Sequence, residues 1–156
     1  MKNLIILSVL LLVFTFAASA QKVAPEPVKK AFAQKFAAAK SVKWDNESAT
    51  EWEAEFTMNG KEMTATYENS GKWIESETGI TSKQLPAAVS ATLAKDFAGY
   101  KTGEMSIVES PELKGFEIAL TKNKAASEVI FDASGKVLQN TPADKEDEKV
   151  EKPVKK

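Results

Sequence analysis

The chain has 156 residues, 43% of them hydrophobic and 28% charged, with 21 basic against 22 acidic side chains and neither His nor Cys. Without Cys or His there is no zinc finger, Fe–S ligand set, disulfide framework, Ser–His–Asp triad or Cys–His dyad. Every basic residue is Lys, so bidentate guanidinium clamps are missing, and a formal net charge of -1 lacks the basic surplus of a nucleic-acid binder.

In chain order, Lys2 precedes an apolar run from Leu4 to Phe16 that is broken only by Ser8 and Thr15, and Ala17-Ala18-Ser19-Ala20 closes it with small residues. This is the layout of a secretory signal peptide over residues 1–20, cleaved between Ala20 and Gln21. The run falls short of the ~20 residues that a spanning helix needs, so no membrane span is expected after removal. A folded domain is expected over residues 21–140. The remaining 141–156 read as a disordered charged tail, since Val150 and Val154 are its only large apolar side chains.

Within the domain one unit is written twice. Pro25, Val28, Phe32, Phe36, Lys40 and Trp44 recur as Pro86, Val89, Leu93, Phe97, Lys101 and Met105. After a short insertion near Ser110-Pro111-Glu112, Trp52, Ala54, Phe56, Asn59, Tyr67, Gly71 and Lys72 recur as Phe116, Ile118, Leu120, Asn123, Phe131, Gly135 and Lys136. The repeats span residues 25–82 and 85–140, a tandem duplication. Each opens with a helix whose apolar stripe is spaced i, i+4, i+8: Val28, Phe32 and Phe36, then Val89, Leu93 and Phe97.

Strands follow each helix. Short ones are expected around Val42-Lys43-Trp44 and from Met105 to Val108. Trp52, Ala54, Phe56 and Met58 alternate with Glu51, Glu53, Glu55 and Thr57, the period-two pattern of a half-buried strand. Folding about Asn59-Gly60 pairs Phe56 with Met63, Ala54 with Ala65 and Trp52 with Tyr67, and sets Glu55 against Thr64 and Glu53 against Thr66 on the other face. In the second unit the same register pairs Ile118 with Val129 and Phe116 with Phe131. A further turn at Asn69-Ser70-Gly71 brings Trp73 beside Tyr67 and Ile74 beside Thr66. Its counterpart, Ala133-Ser134-Gly135, brings Val137 and Leu138 beside Phe131 and Ile130. The fold class is α+β: two tandem α-β-β-β-β repeats forming an antiparallel sheet, with the helices on one face.

Trp44, the run Trp52-Glu53-Ala54-Glu55-Phe56, Asn59-Gly60-Lys61-Glu62, Tyr67, Gly71, Trp73 and Glu75 resemble the secreted PepSY-like family, also described as beta-lactamase-inhibitor-protein-like. Leu85-Pro86-Ala87-Ala88-Val89 continues the resemblance into the second unit, which lacks both strand Trp residues and the Asn-Gly turn. The resemblance implies a continuous antiparallel sheet backed by helices in an envelope or exported protein, and it brings no catalytic residues.

Few residues are left for chemistry. Glu53 and Glu55 share a strand face at roughly 7 Å, a spacing glycosidases use, but beside Thr64, Thr66 and Glu51 they read as a solvated surface. Ser19-x-x-Lys22 crosses the expected cleavage site and is discounted as a serine–lysine nucleophile. Asp45-Asn46-Glu47 lacks the alternating acidic loop of a calcium site. No catalytic residue, metal or cofactor is assigned.

The expected site is the helix-free sheet face, with Glu53, Glu55, Thr64, Thr66 and Ile74 in the first unit. In the second, Ile130 and Leu138 are expected side by side as a small apolar patch near Glu117, Ala119 and Glu128. The function expected is an exported, non-catalytic and inhibitor-like module, periplasmic or extracellular, that binds a protein or peptide through this face. The alternative is a structural or accessory envelope protein that uses a sheet edge or the tail and has no inhibitory target.

Overall fold

The computed structural model describes residues 23–142, Lys124 excepted. The expected signal peptide, and the expected tail beyond residue 142, lie outside the described residues.

Helix α1 (Glu26–Lys35) starts at Pro25, whose fixed φ suits helix entry, and ends at Phe36. Four antiparallel strands follow: β1 (Lys40–Asn46), β2 (Glu51–Met58), β3 (Lys61–Glu68) and β4 (Trp73–Gly79). A short 3-10 turn at Ser82–Gln84 leads into α2 (Ala87–Asp96), then β5 (Lys101–Glu109), β6 (Lys114–Lys122), β7 (Ala125–Phe131) and β8 (Val137–Pro142). The last strand thus takes up the first two residues of the expected tail. Among the described residues the chain is two α-β-β-β-β units, and their strands form one eight-stranded sheet in the order β1-β2-β3-β4-β5-β6-β7-β8.

The central hairpins hold the expected register. Trp52 pairs with Tyr67, Glu53 with Thr66, Ala54 with Ala65, Glu55 with Thr64 and Phe56 with Met63. Phe116 pairs with Phe131 and Ile118 with Val129. A slip by one residue would turn every Glu of β2 toward the helix, so the alternation alone enforces this pairing. Asn59 and Gly60 both have positive φ, at 55° and 74°, as a tight two-residue turn requires.

The second hairpin of each unit differs from expectation by one residue. Tyr67 does pair with Trp73, but a bulge then intervenes and Thr66 faces Glu75, not Ile74. Likewise Phe131 pairs with Val137, whereas Ile130 faces Gln139, not Leu138. The turns themselves close as expected, with Gly71 and Gly135 at φ of 86° and 83° and their N–H groups donating to Glu68 O and Asp132 O, and the extra residue enters only after the first pair, at Ile74 and Leu138. The bulge turns Glu75 and Glu77 onto the helix-free face, whereas straight alternation from Trp73 would aim them at α1.

Each helix covers its own core on the other face. Val28, Phe32 and Phe36 pack on Ala54, Phe56, Ala65 and Tyr67, while Val89 packs with Ile118, Leu120, Val129 and Phe131. The two units join through the β4–β5 pairing, in which Glu77 faces Val108 and Gly79 faces Ser106.

Candidate functional site

By register, Glu53 on β2, Thr66 on β3 and Glu75 on β4 form one row across the helix-free face. Glu55, Thr64, Glu77, Val108 and Gly115 form the next. A third row runs from Gly79 through Ser106, Glu117 and Ile130 to Gln139. The expected residues Glu53, Glu55, Thr64, Thr66 and Ile130 are therefore brought onto one surface. Ile74 and Leu138 occupy the two bulges, so the expected Ile130–Leu138 patch is not built. Ile130 is only 3% exposed, because its Cγ2 lies over Gly115, where an added Cβ would come within 2.6 Å of it.

The face is acidic but not freely solvated, contrary to the sequence expectation. Burial pushes Glu53 up to about 7, reinforced by Glu47, Glu55, Glu77 and Asp45. Glu75 is raised to about 7 by burial, then by Glu77, Glu128 and Glu51. Glu128 reaches about 7 through burial and the charges of Glu77 and Glu104. Glu77 is raised chiefly by burial, an effect that the Ser106 hydroxyl partly offsets. Glu117 is held far above the usual carboxylate range by burial and then by Glu77, Glu128 and Glu75.

Beside these acids the rows carry small side chains at Gly79, Ser106, Gly115 and Ala119, with Val108 and Ile130 among them.

Sequence reasoning missed Glu75 and Glu77 as members of this site. The signal was present: neither charge can be buried under α1, and a bulge is the way to turn both outward. Among the described residues no three acidic side chains come together closely enough to cage a metal ion. An open hollow of about 460 Å³ under the end of α2, lined by Leu93, Phe97, Tyr100, Thr102 and Leu120, offers no carboxylate.

A sequence family described as "Putative beta-lactamase-inhibitor-like, PepSY-like" matches residues 50–139. The chain belongs to this PepSY-like family. Three solved structures share its fold. A BLIP-like protein from Bacteroides fragilis is 18% identical with a TM-score of 0.68, covering 81% of this chain and 92% of its own. A DUF2874 family protein from Bacteroides ovatus is 20% identical with a TM-score of 0.69, covering 81% and 93%. A protein from Bacteroides eggerthii, described as "putative periplasmic", is 23% identical with a TM-score of 0.66, covering 78% and 90%. No curated protein sequence matches the chain. Among the described residues no helix is long and apolar enough to cross a membrane.

Proposed function

We propose that the protein is an exported, non-catalytic binding module that engages a basic segment of another protein or peptide through the helix-free sheet face. The observation that carries this reading is the sign of that face. By register its cations stand on β1 and at the start of β5, at Lys40, Lys43 and Lys101, whereas β2, β4, β6 and β7 contribute Glu53, Glu55, Glu75, Glu77, Glu117 and Glu128. Such a surface steers cationic partners and makes their association sensitive to salt. The signal-peptide pattern at residues 1–20, and a fold shared with a protein described as periplasmic, support export to the envelope or medium. The family's inhibitor-like description supports binding rather than turnover.

The test is capture from envelope and medium with residues 21–156 as bait, beside a Glu53→Lys/Glu55→Lys variant. Partners should elute with salt from the parent and be lost from the folded variant. An unchanged capture profile on that variant would remove the face from consideration. A second reading, an accessory envelope protein assembling through its sheet edge, is favoured by one feature: Val137 and Leu138 on edge strand β8 are 38% and 42% exposed.

A further inference from the structure

At the end of its helix the second core is less filled than the first. Phe32 of α1 has the ring of Trp44 at 5.2 Å and that of Phe56 at 4.9 Å. In the second unit the three equivalent residues are Leu93, Met105 and Leu120, none of them a ring. Ile118 and Val129 stand where the first unit has Ala54 and Ala65, and restore part of the lost volume. The remaining loss shows at the helix surface. Phe32 and Phe36 are each 6% exposed, whereas Leu93 and Phe97 are only half-buried. Beside them lies the open hollow of about 460 Å³, bounded also by Tyr100, Thr102 and Leu120.

We infer that this hollow is a binding site for a small aromatic acid, with its ring on Leu93, Phe97 and Leu120 and its carboxylate at Lys122. The volume lies in the lower part of the range for small-molecule sites, roughly 300–1,000 Å³, and suits a single ring or two fused ones. The walls favour a ring. Phe97 and Tyr100 stand edge to face with centroids 5.7 Å apart, and a planar guest extends that cluster as Trp44 and Phe56 do around Phe32.

The rim favours an anion. Lys122 Nζ lies 4.8 Å from the Tyr100 ring centroid, and a Cβ on Gly99, which also borders the hollow, would be 3.9 Å from that nitrogen. Among the described residues no acidic side chain forms an ion pair with Lys122. A carboxylate is a partner that an ammonium binds strongly. In the first unit the residue equivalent to Lys122 is Met58, which packs against the core. Where the first unit closes its core with a thioether, the second sets a cation at the mouth of a hollow. This site is on the helix side of the sheet, opposite the acidic face, so the two stand or fall separately.

NMR titration of residues 21–156 with phenylacetate, and separately with neutral phenylacetamide, tests the site. The acid should shift amides of residues 93–102 and 120–122 and leave α1 unmoved. Lys122→Met, which restores the first unit's side chain, should weaken the acid about two- to fivefold and leave the amide unchanged, the modest size expected of an exposed ion pair. Leu93→Phe, which restores the first unit's ring at a half-buried position, should weaken both by about tenfold or more, while its own spectrum reports that the fold is kept. Equal binding of the acid to the parent and to Lys122→Met would overturn the aromatic acid. No shifts around the hollow at millimolar acid would overturn the site itself. Contacts from Val150 or Val154 to Leu93 or Leu120 in the unliganded protein would do the same, because the chain would then fill the hollow itself.

Discussion

Under α1 the core is built from large rings set over small neighbours, and under α2 branched aliphatic side chains of middle size stand with fewer rings, those of Phe97, Phe116 and Phe131. Phe56 stands between Ala54 and Ala65, with the rings of Phe32 and Phe36 at 4.9 and 4.8 Å. In the second unit Leu120 replaces Phe56, while Ile118 and Val129 replace the two alanines. Each unit fills the same space with a different division of volume, as tolerant cores do when total volume and pattern are kept. Duplication preserved the backbone and the register, and packing drifted in compensating steps.

The largest effect should come from emptying the ring cluster. Phe56, at 3% exposure, should cost about 3–5 kcal/mol when changed to Ala, measured by urea melts. Compensation gives a sharper test. Ala65→Val alone should overpack the first core by about 1–3 kcal/mol, and adding Phe56→Leu should recover part of that loss. Strictly additive costs would mean that the two positions do not share a volume, and the comparison of the cores would fail.

Turns separate the units less, and their glycines are of two kinds. A Cβ on Gly71 would come within 2.6 Å of Pro27 O, and one on Gly135 within 2.5 Å of Ala88 O, both at positive φ. These turns press on the first turn of their own helix, so Gly71→Ala and Gly135→Ala should each cost about 2 kcal/mol or more. Gly60 has positive φ but open space around it, so Gly60→Ala should cost only about 1 kcal/mol. Thermal melts of the three variants rank them. Equal losses would show that the helix contact contributes nothing beyond the backbone strain.

On the helix-free face the units share one acid and differ around it. Glu53 and Glu117 occupy equivalent positions, but Glu53 faces Thr66 and Glu117 faces Ile130. Burial is deeper in the second unit, and Glu117 is raised further. For an acid raised on folding, the folded state holds its proton longer than the unfolded chain. Stability is therefore greatest below the ordinary carboxylate value and falls as pH rises through the raised one. Melts of the parent should weaken from pH 5 to pH 8. Glu117→Gln should recover about 1–2 kcal/mol at pH 8 and little at pH 4, with Glu53→Gln recovering less. A flat stability profile across this range would mean that the carboxyls are ordinary.

Those acids also mark where the sequence could be read and where it could not. The pairing of β2 with β3 follows from Glu residues alternating with Trp52, Ala54 and Phe56, because only one register keeps charge off the core. The repeat revealed itself in helix stripes and turn glycines, which are local. The bulges were overlooked because Trp73-Ile74 and Val137-Leu138 offer two apolar residues in succession, either of which satisfies simple alternation. The acidic face is illegible for a different reason. Its members come from β2 to β7, on both sides of the junction between units, and single glutamates look solvated until the strands are set in order.

The smallest effect concerns one oxygen. Tyr67 and Phe131 are equivalent and both fully buried, but the Tyr67 hydroxyl has no hydrogen-bond partner in the first core. Its burial pushes the phenol up to about 12. Removing the oxygen makes the first unit resemble the second and takes away an unpaired polar group, so Tyr67→Phe should stabilise by up to about 1 kcal/mol at pH 7. The gain should grow above pH 10, where the phenol ionises in the unfolded chain but stays protonated in the folded one, so the parent loses stability and the variant does not. Paired urea melts at pH 7 and pH 11 measure both parts. A destabilised variant would mean that the hydroxyl is satisfied by a buried water, and that this atom is a point of support that the second unit never had.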